Sequence, residues 1–173
     1  HNATARSLNA LAKALMLAGR SAEAEPLVRE ALAIDRNTPA LEQPNRVSQS
    51  LNNLGNILIQ LRDFPAAEAA HREAYTIRQT AMGARHPETA NSMVRLAVAL
   101  REQGRLADAE SLLRQALSLK RDVLGDMHHD VIDDHVELAR TLHLMGDLRA
   151  AETLYRQVIQ TSEEVRTEGH TRI

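Results

Sequence analysis

The feature that most constrains this chain is a repeat of about 42 residues. A leucine followed by a small residue recurs at steps of 43, 42 and 42, as Leu11-Ala12, Leu54-Gly55, Leu96-Ala97 and Leu138-Ala139. An alanine stands twelve residues after each small residue, at Ala24, Ala67, Ala109 and Ala151. A period longer than one helix and shorter than a domain indicates copies of one supersecondary unit stacked in an open array.

Each repeat has the hydrophobic spacing of two helices. In the second repeat, Leu51, Leu54, Gly55 and Leu58 share one face of a helix over roughly 47–61. The same core stripe recurs as Leu8, Leu11, Ala12 and Leu15, as Met93, Leu96, Ala97 and Leu100, and as His135, Leu138, Ala139 and Leu142. The spacing therefore predicts that all of these side chains are packed.

The ends of the helices are marked by residues that suit helix caps. Gly19, Gly104 and Gly146 stand where three first helices must end, and Arg62 takes that place in the second repeat. Asp63 is then a good N-cap for the second helix, whose inner face carries Ala67, His71, Ala74 and Ile77. Pro26 lies about five residues into its helix, so we expect a slight kink or a late start there.

Composition excludes several classes of protein. Only Phe64, Tyr75 and Tyr155 are aromatic, so aliphatic residues must fill the core, which favours helices over a sheet sandwich. A formal charge of -2 argues against a nucleic-acid partner, and the absence of cysteine excludes disulfides and thiolate metal sites. No apolar stretch approaches the roughly 20 residues that cross a bilayer. We expect a cytoplasmic protein with no membrane association and no cofactor.

These residues resemble the tetratricopeptide repeat (TPR), which has a leucine followed by Gly or Ala in its first helix and paired alanines in its second. The 42-residue spacing and the segments Met82-Gly83-Ala84-Arg85-His86-Pro87 and Leu124-Gly125-Asp126-Met127-His128 resemble more specifically the kinesin-light-chain type of repeat. The resemblance covers nearly the whole chain. It implies an all-α fold, a right-handed superhelical solenoid of four helix-turn-helix repeats, with the first helices lining the concave side.

The repeat phase also predicts the boundaries of a single TPR array. The four repeats are expected at approximately 1–43, 44–85, 86–127 and 128–169, with 170–173 beginning a further one. His86, His128 and His170 recur at steps of 42 and are interpreted as caps in the linkers between repeats.

The face opposite the core stripe of each first helix predicts a peptide-binding groove. Its candidate residues are Arg6, Asn9, Lys13, Gln49, Asn52, Asn53, Asn56, Asn91, Arg95, Arg101 and Arg140. Asp133, Glu137 and His143 share this face in the fourth repeat. Five of the eight asparagines fall on it, although asparagine is a mediocre helix former. Carboxamides both donate and accept hydrogen bonds, so they can hold the main chain of an extended peptide; a merely solvated polar face is the alternative.

The cations of this face favour an acidic or mixed peptide. TPR domains that clamp a C-terminal carboxylate carry five polar residues at set positions, and only Asn53 and Arg95 match them here. The resemblance therefore favours an internal peptide segment over a C-terminal tail.

The densest polar cluster runs from His128 to His135. His129 with Asp133 and Asp130 with Asp134 lie at i, i+4, a spacing that can chelate a divalent metal. We interpret the cluster as structural, because aspartates in a first helical turn complement the helix dipole and His135 occupies a packed repeat position.

The sequence carries no catalytic motif, so we expect a non-enzymatic scaffold that binds a protein or peptide in its groove. Two alternatives stay open. The array could pack end to end with itself as a homodimer through uncapped terminal repeats, since solenoids need polar caps. It could also be the regulatory sensor segment of a larger signalling enzyme.

Overall fold

The computed structural model describes residues 2–37 and 43–171. This part of the chain contains eight helices and no strand. The helices are α1 (Asn2–Leu17), α2 (Ser21–Arg36), α3 (Gln43–Gln60), α4 (Phe64–Met82), α5 (Pro87–Glu102), α6 (Leu106–Leu124), α7 (His129–Met145) and α8 (Leu148–Thr171). They form four consecutive helix pairs, as the repeat predicts.

The helices form two rows with different spacing. Each helix packs against the next one along the chain, and the first helices α1, α3, α5 and α7 also contact one another in order. Within the described ranges, no such contact joins the second helices α2, α4, α6 and α8. The row whose members touch is the inner row of a curved stack. The first helices therefore form the inner side of a helical solenoid, which confirms the fold that the resemblance implies.

Small residues let the two helices of each pair approach closely. Ala12, Ala97 and Ala139 are fully buried on the first helices, and so are Ala24, Ala67 and Ala109 on the second. Helix axes come within about 8 Å only where no long side chain intervenes. In the second pair Gly55 makes room for the His71 ring, since a Cβ there would lie 2.4 Å from Cε1 and Nε2 of that ring.

The predicted ends of the first helices are confirmed. Gly19, Gly104 and Gly146 have φ of +75°, +78° and +86°, and Arg62 adopts the same left-handed conformation at φ 63°. Asp63 then caps α4 by accepting a hydrogen bond from the backbone N–H of Ala66 at 3.2 Å.

The histidines of two linkers act as the predicted caps. Nδ1 of His86 accepts a hydrogen bond from the Glu88 N–H at 3.1 Å at the start of α5. Nδ1 of His128 does the same for the Asp130 N–H at 3.2 Å at the start of α7. Gly83 and Gly125 follow the last residues of α4 and α6.

The third histidine differs from this pattern. His170 lies inside α8, whose last residue is Thr171, and not directly before a helix start; residues 172–173 lie outside the described residues. The other two linkers have glycine three residues before the histidine, whereas Thr167 stands there in the fourth repeat. Without that glycine the helix has no left-handed stop.

Two further expectations differ from the structure. Leu11, predicted to be packed, is 51% exposed, whereas its repeat equivalents Leu54 and Leu138 are buried. Those leucines have a preceding helix pair to cover them, and the described chain places none beside α1. Pro26 causes no late start, because α2 already begins at Ser21.

A buried charge sits at each joint between repeats. Asp35 on α2, Arg78 on α4 and Lys120 on α6 are only 2–6% exposed and are spaced by 43 and 42 residues. Each binds the first helix of the next repeat. Asp35 contacts Arg46 at 2.7 Å and Ser50 at 2.6 Å on α3, and Arg78 contacts Glu88 at 3.1 Å and Ser92 at 3.0 Å on α5. Lys120 contacts Asp134 at 2.8 Å on α7. The buried charge on the second helix is negative at the first joint and positive at the second and third joints.

Candidate binding groove

The inner row of helices encloses a groove with two adjoining cavities. The larger cavity has a volume of about 590 Å³ and lies between the first three repeats. It is lined by Lys13, Asn45, Gln49, Asn52, Asn53, Arg78, Met82, His86, Glu88, Asn91 and Arg95. Six of these residues are candidates from the sequence: Lys13, Gln49, Asn52, Asn53, Asn91 and Arg95.

The smaller cavity, of about 280 Å³, continues the groove towards α7. Asn56, Asn91, Val94, Arg95, Val98, Lys120, Asp130, Asp133, Asp134 and Glu137 line it. Asn91 and Arg95 belong to both cavities, so they mark the junction between a mostly cationic half and a mostly acidic half.

Two of the predicted asparagines are engaged by the protein itself. Nδ2 of Asn9 donates to Oγ of Ser50 at 2.7 Å, and Oδ1 of Asn9 accepts from Nδ2 of Asn53 at 3.0 Å. Ser50 in turn donates to Asp35, so this chain of hydrogen bonds connects α1 and α3 to the first joint. Asn9 thus stabilises the wall of the groove, and Asn53 keeps its carbonyl oxygen and one Nδ2 hydrogen for a ligand.

Asn52 and Asn91 have different surroundings. Asn52 is only 5% exposed, and its Oδ1 lies 3.2 Å from Nδ1 of the buried His71. Nδ2 of Asn91 makes a long contact of 3.4 Å with Glu88.

Arg95 is the strongest candidate for ligand binding. It is half-buried at the junction of the two cavities, and the structure records no hydrogen bond or ion pair from its guanidinium to any described residue. Burial lowers the pKa of Arg95, and the nearby Glu88 carboxylate opposes that shift. An unpaired, partly desolvated guanidinium favours an anionic partner.

Arg78 adds a second positive charge to the same region. Burial lowers the pKa of Arg78, and the charge of Arg95 lowers it further. Our sequence reasoning missed Arg78, because it considered only first helices. The signal was present in the 42-residue spacing of Asp35, Arg78 and Lys120, all at polar positions near the end of a second helix.

Besides Asn9, three predicted residues lie outside both cavities. Arg101 is engaged by Glu137 at 2.6 Å, and Arg140 by the same Glu137 at 3.0 Å. Arg6 is exposed on α1 and lines neither cavity. Of the residues predicted on this face in the fourth repeat, Asp133 and Glu137 line the groove and Arg140 does not.

The histidine cluster has structural roles. His128 uses Nδ1 to accept the capping hydrogen bond, which puts the ring hydrogen of its neutral form on Nε2. His135 is buried and its Nδ1 lies 2.8 Å from the Val131 carbonyl oxygen. Ligand atoms of His128, His129 and Asp130 lie within 4.8 Å of one another. A metal on Nδ1 of His128 would displace the capping hydrogen bond, and a metal on Nε2 would displace the ring hydrogen.

Comparison with known proteins agrees with this architecture. The tetratricopeptide repeat family matches residues 46–122 and 94–164, and a second model of the same repeat matches residues 4–37. The chain belongs to the tetratricopeptide repeat family. No curated protein gives a significant match.

Several solved structures share the fold of this TPR protein. One is a Podosopora anserina protein with nearly identical TPR-like repeats of the kinesin light chain kind, at 24% identity and a TM-score of 0.80 over 95% of this chain and 77% of that one. BtubC (BKLC) from P. vanneervenii has 23% identity and a TM-score of 0.79 over 94% of this chain. The apo form of RapI has 12% identity and a TM-score of 0.80 over 99% of it.

This TPR array spans 64% of BtubC and 60% of RapI. At these identities the likeness shows the fold. Among the described helices, none is long and apolar enough to cross a membrane.

Proposed function

We propose that this TPR array is a non-enzymatic scaffold that binds an extended, acidic or mixed-charge peptide segment of a partner protein along its inner groove. The observation that carries the proposal is Arg95, whose guanidinium has no partner among the described residues although it lies half-buried where the two cavities meet. Lys13 and Arg78, the latter paired with Glu88, line the larger cavity with it. Along the same path, Gln49 and Asn56 have carboxamides without a partner among the described residues.

The test replaces Arg95 by methionine, which retains an unbranched stem but removes the charge and the donors. The probe is the tightest binder from a display library of dodecapeptides enriched in Asp and Glu. Losing a charge-assisted hydrogen bond of about 1.5–3 kcal/mol corresponds to a roughly 10- to 100-fold weaker Kd in calorimetry. Arg114→Met is the matched control, because Arg114 is exposed on α6 and pairs only with Glu110 among the described residues.

Equal affinities for wild type and Arg95→Met would remove the groove at Arg95 from consideration. A loss of affinity in Arg114→Met as large as that in Arg95→Met would show non-specific charge attraction.

A second candidate function is end-to-end packing with another copy of this chain. Leu11 at one end of the stack is 51% exposed, and Ile159 on α8 is 58% exposed, whereas Leu117, the repeat equivalent of Ile159, is 8% exposed. In the interior of the stack such positions are covered by the adjacent helix pair. Light scattering over a range of concentrations tests this function, with Ile159→Glu as the variant: a mass that stays monomeric throughout contradicts end-to-end packing.

A further inference from the structure

Asn52 is almost buried and yet belongs to the wall of the larger cavity. Its Oδ1 faces the interior between α3 and α4, where it lies 3.2 Å from Nδ1 of His71. The structure records no hydrogen bond from its Nδ2 to any described residue. One end of this carboxamide is therefore engaged inside the repeat, and the other end is available on the groove side.

The contact with His71 fixes the direction of the Asn52 carboxamide. A carboxamide oxygen can only accept, so Nδ1 of His71 must carry the hydrogen and donate it. Nε2 is then unprotonated and has no partner in the interior. Burial and the positive charge of Arg95 lower the pKa of His71 to about 3, so the ring is neutral near pH 7.

The position of the His71 ring depends on its own repeat. The ring is fully buried and occupies the space that a Cβ at Gly55 would take, one turn from Asn52 on α3. The repeat equivalents of His71 are Val28, Leu113 and Tyr155, and those of Gly55 are alanines. Only the second repeat thus combines a glycine with a histidine.

We propose that His71 is a positioning residue: it holds Oδ1 of Asn52 inside the repeat, so that Asn52 directs its two Nδ2 donors into the groove to bind a main-chain carbonyl oxygen of the peptide. This inference rests on the proposed function of the groove. The neighbouring groups Lys13, Arg78 and Arg95 are also donors, so a ligand must bring acceptors to this stretch. The three cations can bind carboxylates of the peptide. The neutral Asn52 donors can bind a main-chain carbonyl oxygen, which a peptide of any sequence has.

The experiment combines protein variants with changes to the peptide backbone. The probe is the same library-derived dodecapeptide, with each amide bond in turn replaced by an ester, whose carbonyl is a weaker acceptor. His71→Leu removes the donor and introduces the residue found at the equivalent position, Leu113. Asn52→Asp retains an oxygen for His71 and replaces the Nδ2 donors by a second oxygen. Tyr155→Leu is the control, since it makes the same kind of change in the fourth repeat.

For wild type we expect one ester position to weaken binding about 3- to 10-fold, the worth of one hydrogen bond. His71→Leu and Asn52→Asp should each bind the all-amide peptide more weakly than wild type does, by a similar factor. In these variants the peptide with that ester should bind as well as the all-amide peptide. Tyr155→Leu should retain the wild-type affinity and the wild-type ester pattern. A purely structural role of His71 would lower the thermal midpoint without changing which ester is penalised.

Two results overturn the inference, and they differ in what they imply for the groove. If a peptide binds and the ester pattern is the same in wild type, His71→Leu and Asn52→Asp, only the positioning role fails. If no library peptide shifts the NMR side-chain amide signals of Gln49, Asn56 and Asn91, the proposed function fails with it. Asn52→Asp keeps the size of the side chain, so it decides the matter even if His71→Leu is poorly folded.

Discussion

At the scale of single residues, Arg62 carries backbone strain that its repeat equivalents avoid. It ends α3 at φ 63°, where Gly19, Gly104 and Gly146 end the other first helices. A left-handed conformation costs a residue with a Cβ roughly 1–2 kcal/mol, and glycine does not incur this cost. The guanidinium of Arg62 lies 5.5 Å from the ring centroid of Phe64, a contact worth about 0.5–1 kcal/mol at an exposed site.

Arg62→Gly relieves the strain, but it also loses the ring contact and makes the unfolded chain more flexible. We therefore expect a net increase of roughly 0.5 kcal/mol in the free energy of unfolding. Urea denaturation measures the change. Arg62→Ala is the control, because it loses the ring contact but retains the strain, and should be less stable than wild type. A destabilised Arg62→Gly would show that the Phe64 contact outweighs the strain.

His71 gives the protein a dependence on pH. Its pKa is lowered to about 3 in the folded state, first by burial and then by the charge of Arg95, against about 6.5 when unfolded. Between these values the unfolded chain binds a proton that the folded protein does not, so stability falls as pH decreases below 6.5. The slope reaches at most about 1.4 kcal/mol per pH unit.

The measurement is the difference between wild type and His71→Leu in urea denaturation at pH 7.5 and pH 4.5. The raised pKa of Asp134 makes the folded protein more stable as pH falls through part of this range, which opposes the effect of His71. Both proteins contain Asp134, so the difference between them reports on His71. We expect His71→Leu to lose less stability than wild type on acidification. Parallel pH profiles would mean that the ring accepts a proton without unfolding.

At the scale of helices, close packing depends on the size of one residue at each crossing. Ala109 on α6 is fully buried and belongs to the same core cluster as Ala97 on α5. Leucine there would have to push the helices apart, so we expect Ala109→Leu to cost about 1–3 kcal/mol of stability in thermal or urea unfolding. Ala107→Leu, an exposed change on the same helix, is the control and should be close to neutral. An equal effect of the two substitutions would contradict close packing at the crossing.

The sequence predicted the helices well because their signals are local. A glycine or histidine at a fixed repeat phase marks where a helix ends or begins, and this holds at Gly104 and His128. The groove was harder to predict, since helical spacing tells which side chains share a face but not which of them bind each other. Asn9 and Asn53 share the predicted face and are joined by a hydrogen bond, and Leu11 is exposed because no described helix covers it.

At the scale of the whole molecule, stability depends on the joints, because a repeat in a solenoid contacts only its neighbours. The third joint contains Lys120 and Asp134, which are 2% and 3% exposed and lie 2.8 Å apart. Burial raises the pKa of Asp134 to about 6 even though the ammonium of Lys120 opposes that shift. The desolvation of this pair is thus only partly offset by its attraction.

Removing one partner of the pair should uncouple the last repeat. Lys120→Met leaves a buried carboxylate without a counterion, which costs about 3–5 kcal/mol at pH 8. Removing the ammonium raises the pKa of Asp134 further, so the Asp134 carboxyl of the variant takes up its proton at higher pH than in wild type and the loss of stability should shrink as pH falls from 8 towards 6. We expect α7 and α8 to unfold before the rest of the array, so Tyr155 fluorescence in a Tyr75→Phe background should change at lower urea than circular dichroism.

The double variant Lys120→Met with Asp134→Leu distinguishes a missing charge from a disrupted shape. It replaces the ion pair by apolar side chains, so it should regain most of the stability and restore coincident unfolding transitions. If it unfolds in two steps like Lys120→Met, the pair is required as an ion pair to align the third and fourth repeats. If Lys120→Met itself unfolds in one step at the wild-type urea concentration, the joint does not depend on this contact.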